Sequence, residues 1–213
     1  MQHRRVHLVR HGVTTWNRER RYQGHINVPL SPDGERQAEL TAHYLSAFPI
    51  TCCFASDLSR AFDTARPIAA KLGISLEQAP DLREASKGEL EGKYRDPETG
   101  LLGDESHFHD DNDIESRPPG GESMMDLGIR SSRFLAEFGE KDRSTPVGDV
   151  LLVSHGGTMR ALLSAMLDMP IEASRSFHFD NCSHTVVQFR GELPPLLLKY
   201  NDTHHLGTAI TAE

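Results

Sequence analysis

The sequence predicts an α/β fold: a three-layer α/β/α sandwich around a mostly parallel sheet with one antiparallel strand and one polar insertion. Two observations predict it. Short apolar runs fit for buried strands, Val6–Val9 and Val150–Val153, alternate with stretches of ten or more residues at helical periodicity, as strand-helix-strand crossovers require. Both runs end directly in a histidine backed by glycine, Arg10-His11-Gly12 and Ser154-His155-Gly156-Gly157. In an open parallel sheet that is the edge where strand ends and helix N-termini converge and ligands bind.

The elements follow in order. After the first strand, Ser31-Pro32-Asp33 supplies a cap, a first-turn proline and an acid for the helix dipole, and Ala38, Thr41, Ala42 and Leu45 recur at helical spacing. A second strand, Thr51 to Ala55, runs into Ser56-Asp57 as the next cap. Leu58, Ala61, Ala65, Ile68, Ala69 and Leu72 then form an apolar face that Gly73 terminates. A third strand precedes Leu82-Arg83-Glu84. Met124, Leu127, Phe134, Leu135 and Phe138 line one later helix, and Met159, Leu162, Leu163, Met166 and Leu167 line another, with Pro170 beyond its end. Thr185–Phe189 and Leu196–Tyr200 close the sheet, separated by Gly191 and Pro194-Pro195. From Lys93 to Gly121 the chain is rich in Gly, Pro and acids with little apolar periodicity, and reads as an insertion or lid loop. Residues 201–213 read as a flexible tail.

With 213 residues, 37% of them hydrophobic and 25% charged, the whole chain 1–213 fits one domain with one substantial core. The net charge of −8 argues against nucleic-acid or anionic-membrane partners. No run of 18 apolar residues and no signal sequence is seen, so a cytoplasmic location is expected; oligomeric state is left open. Cys52, Cys53 and Cys182 have neither disulfide nor zinc spacing and read as buried reduced thiols. His107 and His109, beside Asp104, Glu105, Asp110, Asp111 and Asp113, match no metal-ligand signature, and no metal or other cofactor is expected.

Histidines at a ligand-binding edge suit phosphoryl transfer. Neutral imidazole is nucleophilic near pH 7, and its phosphoramidate still hydrolyses. Guanidinium groups match phosphoryl oxygens in bidentate geometry, and Arg10 and Arg60 stand where the edge would use them. A leaving alkoxide needs a proton, which a carboxyl group of raised pKa can give before it activates water. Glu84 is the natural candidate, with Glu89 and Glu91 as competitors.

These residues fall into a longer pattern. Arg10-His11-Gly12, Thr14, Asn17, Gln23-Gly24, Pro29-Leu30, Gly34 and Gln37-Ala38 open it. Ser56, Leu58, Arg60-Ala61, Thr64-Ala65, Leu82-Arg83-Glu84 and Glu91-Gly92 continue it, and Pro119–Ser123, Val153–Gly157, Arg160 and Asn181 complete it. In order and extent the pattern resembles the histidine phosphatase superfamily, the phosphoglycerate-mutase-like enzymes. The resemblance implies that His11 becomes phosphohistidine, that Arg10, Arg60 and a protonated His155 bind phosphoryl oxygens, and that Glu84 is acid and base. It further implies substrate contacts from Thr14, Asn17, Gln23, Gly24 and Gly156, and no metal.

Val13, Asn27, Asp63 and Leu90 depart from residues common in that pattern, which bears on the outer pocket. The implied activity is a metal-independent phosphomonoesterase acting on a small phosphorylated metabolite. Two alternatives stand beside it. A bisphosphoglycerate-dependent phosphoglycerate mutase would need a second anion site, for which Lys87, Lys93, Arg95 and Arg117 are available. A catalytically silent binder of phospho-ligands or a partner protein would be expected to lack a catalytic group, and this chain keeps all of them.

Overall fold

A computed structural model describes residues 4–95, 113–141 and 148–207. Along them run β1 (Arg4–Arg10), the short α1 (Thr15–Arg18), α2 (Pro32–Leu45), β2 (Ile50–Ala55), α3 (Ser59–Leu72) and β3 (Leu76–Gln78). Then come α4 (Met124–Lys141), β4 (Asp149–Ser154), α5 (Gly156–Met166), β5 (His184–Arg190) and β6 (Leu193–Asp202). The six strands form one sheet in the order β3-β2-β4-β1-β5-β6. β1, β2, β3 and β4 are mutually parallel, β5 is antiparallel to β1, and β6, antiparallel to β5, returns to the common direction. The expected three-layer α/β architecture, with one antiparallel strand, is therefore observed.

Strand alternation divides the core into two layers. Val6, Leu8, Val150 and Leu152 face α4 and α5 and join Phe134, Phe138, Met159, Leu162 and Leu163. Val9, Leu151 and Val153 face the other way and pack on Ala42, Leu45, Ala61, Ala65 and Ile68 of α2 and α3. Both faces of β1 and β4 are thus covered, which is why these strands read as nearly continuous apolar runs. The parallel register sets Arg10 beside Ser154, and the His11 N–H donates to the Ser154 carbonyl at 2.9 Å. The two histidine-glycine turns consequently emerge side by side.

Several local expectations change. The first residue before α3 is Leu58, not Ser56 or Asp57, and it makes no side-chain cap bond. The Ser59 N–H is instead capped by the Asn27 carboxamide oxygen at 2.9 Å, while Asp57 pairs with Arg83 and Ser56 turns to His155. Pro194-Pro195 lie inside β6 rather than before it. β6 is an edge strand, where a missing N–H is tolerated, and the hairpin turns at Gly191, whose φ is +68°.

The expected tail from residue 201 is ordered through its first part. Asn201 and Asp202 finish β6, and a 3-10 turn, His204–Leu206, docks on α2: Leu206 is buried, His205 Nε2 lies 3.1 Å from Thr41 Oγ1, and its ring stacks on Tyr44. Residues 208–213 lie outside the described residues, as do 96–112 of the insertion, including His107 and His109. The three cysteines are buried and unbridged. No helix among the described residues is long and apolar enough to cross a membrane.

Candidate active site

A cleft of about 310 Å³ opens at the C-terminal ends of β1 and β4 and is lined by Arg10, His11, Asn17, Gln23, Gly24, Arg60, Glu84 and Gly157, among others. At its floor, His11 Nδ1 lies 2.8 Å from the Gly12 carbonyl, so the bond fixes the proton on Nδ1 and leaves Nε2 as the bare nitrogen. Burial, then the charges of Arg60 and Arg10, hold its pKa well below the ordinary histidine value, against a small upward pull from the Gly12 bond. The imidazole is neutral, as a nucleophile must be.

Arg60, on the first turn of α3, is almost fully buried. Its Nη1 and Nη2 donate to the Ile26 and Gly24 carbonyls at 2.9 and 2.8 Å, which aims the guanidinium edge into the cleft. Burial pulls its pKa down to about 10, so it stays charged at neutral pH. Arg10 Nη1 donates to the Phe179 carbonyl at 2.6 Å.

Glu84 is held by two backbone donors: the Ala85 N–H on Oε1 at 2.9 Å and the Gly157 N–H on Oε2 at 3.0 Å. The approach leaves no room for a side chain at residue 157, where a Cβ would stand 2.4 Å from Glu84 Oε1. The expected raised pKa is corrected here. Burial pushes it up, but the Gly157 and Ala85 N–H groups together with Lys87 and Arg160 more than offset that and leave it below the usual carboxylate value. The competitors are eliminated: Glu89 is exposed, and Glu91 Oε1 is occupied by the N–H groups of His25 and Lys87 at 2.8 and 3.0 Å.

His155 also differs from expectation. It is fully buried beside His11, with ring centroids 5.1 Å apart, and its Nε2 lies 2.9 Å from Ser56 Oγ. Burial and the nearby charges of Arg60, His11, Arg10 and Arg130 push its pKa well below the ordinary value, so it is neutral rather than protonated. Ser56 Oγ also accepts from the Leu58 N–H at 3.2 Å, and as a neutral imidazole His155 still carries one ring proton to donate.

Asn17, Gln23 and Gly24 line the cleft as expected, whereas Thr14 and Gly156 do not. Thr14 is buried as the N-cap of α1: its hydroxyl accepts from the Asn17 N–H, and Asn17 Oδ1 accepts from the Thr14 N–H. Gly156 begins α5 beside Arg10. Of the four departures, none lines the cleft. Val13 and Leu90 are buried, Asp63 pairs with Arg66, and Asn27 retains the acceptor that caps α3.

Sequence reasoning missed Arg130. From α4 its guanidinium donates to the Asp81, Arg83 and Glu84 carbonyls and pairs with Glu122, pinning the segment that carries Glu84, while His25 Nε2 meets the Glu84 carbonyl at 2.8 Å. Nothing in the spacing marks Arg130, since the carbonyls it binds lie over forty residues away. The outer cations also differ from those expected. Lys87 and Arg95 line the cleft, Lys93 does not, Arg117 is spent on Asp126, and Arg21, Arg160 and Arg175 join instead.

Three fully buried histidines, His11, His155 and His184, share lowered pKa values, that of His184 being about 3 through burial first and then its neighbour His7. The unfolded chain binds these protons near pH 6.5 while the native protein does not, so stability is full above 6.5 and is lost as pH falls. The three together give a slope approaching about 4 kcal/mol per pH unit once all are protonated in the unfolded state. Thermal unfolding should therefore shift steeply downward between pH 6.5 and 5, and a flat melting temperature across that window would show that these rings protonate in the folded protein.

At the edge of an open α/β sheet, a neutral histidine with its proton fixed on Nδ1 thus shares one cleft with two arginines and a carboxylate. The chain belongs to the histidine phosphatase superfamily (branch 1), whose model matches residues 6–203. It is 38% identical over 189 residues to a "Probable phosphoglycerate mutase GpmB" of Enterobacter sp. (strain 638), covering 87% of this chain and 85% of the relative. Among solved structures, a mycobacterial glucosyl-3-phosphoglycerate phosphatase in complex with VO3 superposes with a TM-score of 0.83 at 28% identity, over 94% of this chain and all of that one. The alpha-ribazole phosphatase from Shigella flexneri gives 0.79 at 26% identity, over 93% of this chain and 96% of that one. The chain is thus an enzyme of the phosphatase and phosphomutase type.

Proposed function

We propose that the protein is a phosphomonoesterase that hydrolyses a small phosphorylated metabolite through phosphohistidine at His11, without a metal. The observation that carries this reading is the Nδ1 bond of His11 to the Gly12 carbonyl, which leaves Nε2 unprotonated in a cleft shared with Arg10, Arg60 and Glu84. His11 Nε2 attacks phosphorus as the ester P–O bond breaks, Arg10 and Arg60 carry the oxygens' charge, and the neutral His155 adds a hydrogen-bond donor. Glu84 passes a proton to the departing alkoxide. That proton arrives with the substrate, whose second ionisation lies at about pH 6, and a phosphoryl dianion beside the carboxylate raises its pKa by like charge. Water then loses a proton to Glu84 and attacks phosphorus, the P–N bond breaks, and inorganic phosphate takes that proton as it leaves, with His11 neutral and Glu84 ionised again.

The outer cleft supports a substrate with a second anion. Arg21, Lys87, Arg95, Arg160 and Arg175 line it against the acids Asp113 and Glu122, a local reversal of the chain's net charge of −8. If Arg160 meets that anion, Arg160→Met should reduce kcat/KM for 3-phosphoglycerate about ten-fold more than for β-glycerophosphate, the value of one charge-assisted hydrogen bond. Equal losses on both esters would remove Arg160 from recognition.

The same cations and the names of the curated relatives favour the mutase as a second reading. Phosphate release from a panel of monoesters with chelator present, beside conversion of 3-phosphoglycerate to 2-phosphoglycerate with and without the bisphosphate, separates the two. Chelator-resistant release without isomerisation supports the phosphatase. Bisphosphate-dependent isomerisation outpacing release supports the mutase. Chelator-sensitive release would refute the metal-free mechanism, and neither release nor isomerisation would leave only a binder.

A further inference from the structure

One motif residue has no role in the chemistry above. Asn181, in the turn before β5, is 7% exposed, and its Nδ2–H donates to the His11 carbonyl at 2.8 Å. The next peptide works with it: the Cys182 N–H donates to the Arg10 carbonyl at 3.0 Å and reaches the His11 carbonyl at 3.4 Å. Cys182 adopts φ +55°, an uncommon conformation for a residue other than glycine, so the turn keeps a strained geometry in order to present these donors.

The His11 carbonyl and the Gly12 N–H belong to one peptide plane. Asn181 grips its oxygen. At the other end the Gly12 N–H donates to Thr64 Oγ1 at 2.9 Å, the Thr64 hydroxyl proton being already committed to the Arg60 carbonyl at 2.7 Å. Rotation of this plane would swing the adjacent Gly12 carbonyl, and that carbonyl is the group that holds His11 Nδ1. The clamp therefore acts on the nucleophile through its own backbone.

We infer that Asn181 is a positioning residue for the nucleophile, fixing the His11–Gly12 peptide plane from the turn before β5 while Thr64 fixes it from α3, so that Nε2 is held in line with the phosphorus. The turn is itself anchored, since Asp180 exchanges hydrogen bonds with Asn201 of β6 at 2.8 Å each way and Arg10 donates to the Phe179 carbonyl. Phosphoryl-binding and nucleophile-positioning groups are thus braced by the same four residues, Phe179 to Cys182.

This inference rests on His11 as the phosphorylated residue, and its test separates the two. Single-turnover formation of phosphohistidine is measured with an aryl and an alkyl phosphate for the wild type, Asn181→Ala and Asn181→Asp. Misaligned attack should slow phosphorylation about 10²-fold for both esters alike, with the inhibition constant of inorganic phosphate within three-fold of wild type. Asn181→Asp keeps the size but turns an acceptor toward the His11 carbonyl, and should lose at least as much, which simple packing would not. A wild type that never forms phosphohistidine refutes the reading of His11. A wild type that forms it, with Asn181→Ala phosphorylated within three-fold of its rate or losing only thermal stability, overturns the positioning role alone.

Discussion

His11→Ala is expected to abolish turnover, by about 10⁴-fold or more, and with it all phosphate trapped on the protein. No neighbour can take over. His155 is buried with Nε2 engaged by Ser56, and Cys182 and Cys53 are buried thiols with pKa raised by burial, that of Cys182 to about 12, so neither supplies a thiolate. The fold should survive, because the His11 backbone bonds to Ser154 and Asn181 do not depend on its ring. The measurement is brief exposure to a labelled monoester followed by acid and by base. Wild type should carry acid-labile, base-stable phosphate and the variant none. Label retained in His11→Ala would place the covalent step on another residue.

The second large effect concerns the leaving group. Glu84→Gln keeps one acceptor oxygen for either the Ala85 or the Gly157 N–H, sets an NH2 against the other, and removes the proton. Alkyl phosphates, whose alkoxides are poor leaving groups, should lose about 10²–10³-fold in phosphorylation rate, whereas aryl phosphates, whose phenolates depart unaided, should change little. Dephosphorylation should slow with either ester because activation of water also uses the carboxylate, so aryl phosphates should show a burst followed by slow turnover. Uniform losses in the phosphorylation step would remove Glu84 as the acid.

What the sequence conveyed was local. Ser31-Pro32-Asp33 announced α2 because cap, first-turn proline and acid act on the nearest N–H groups, and the Ser31 hydroxyl does accept from Gly34. The two histidine-glycine ends could be read because strand ends in a parallel sheet share one edge. Non-local dependence hid the rest. The cap of α3 comes from Asn27, which no inspection of Ser56-Asp57 would suggest. Glu84 and Glu91 are told apart by their partners, one held by the Ala85 and Gly157 N–H groups at the cleft and the other taken up by those of His25 and Lys87. The charge of His155 followed from burial among arginines, and the contribution of Arg130 from carbonyls it meets only after folding.

The central place of β1 has a consequence for assembly. It precedes the other described strands, yet its partners come late: Val6 pairs with Val150 on one side and Val187 on the other. Such long-range closure is slow and leaves one edge of β1 open on the nascent chain until β4 has been made and the other until β5 has. The cleft, whose His11 follows β1 directly, is therefore completed only when the turn before β5 has been made. A fragment ending before β5 would keep His11 and most of its partners but lack the turn that holds it.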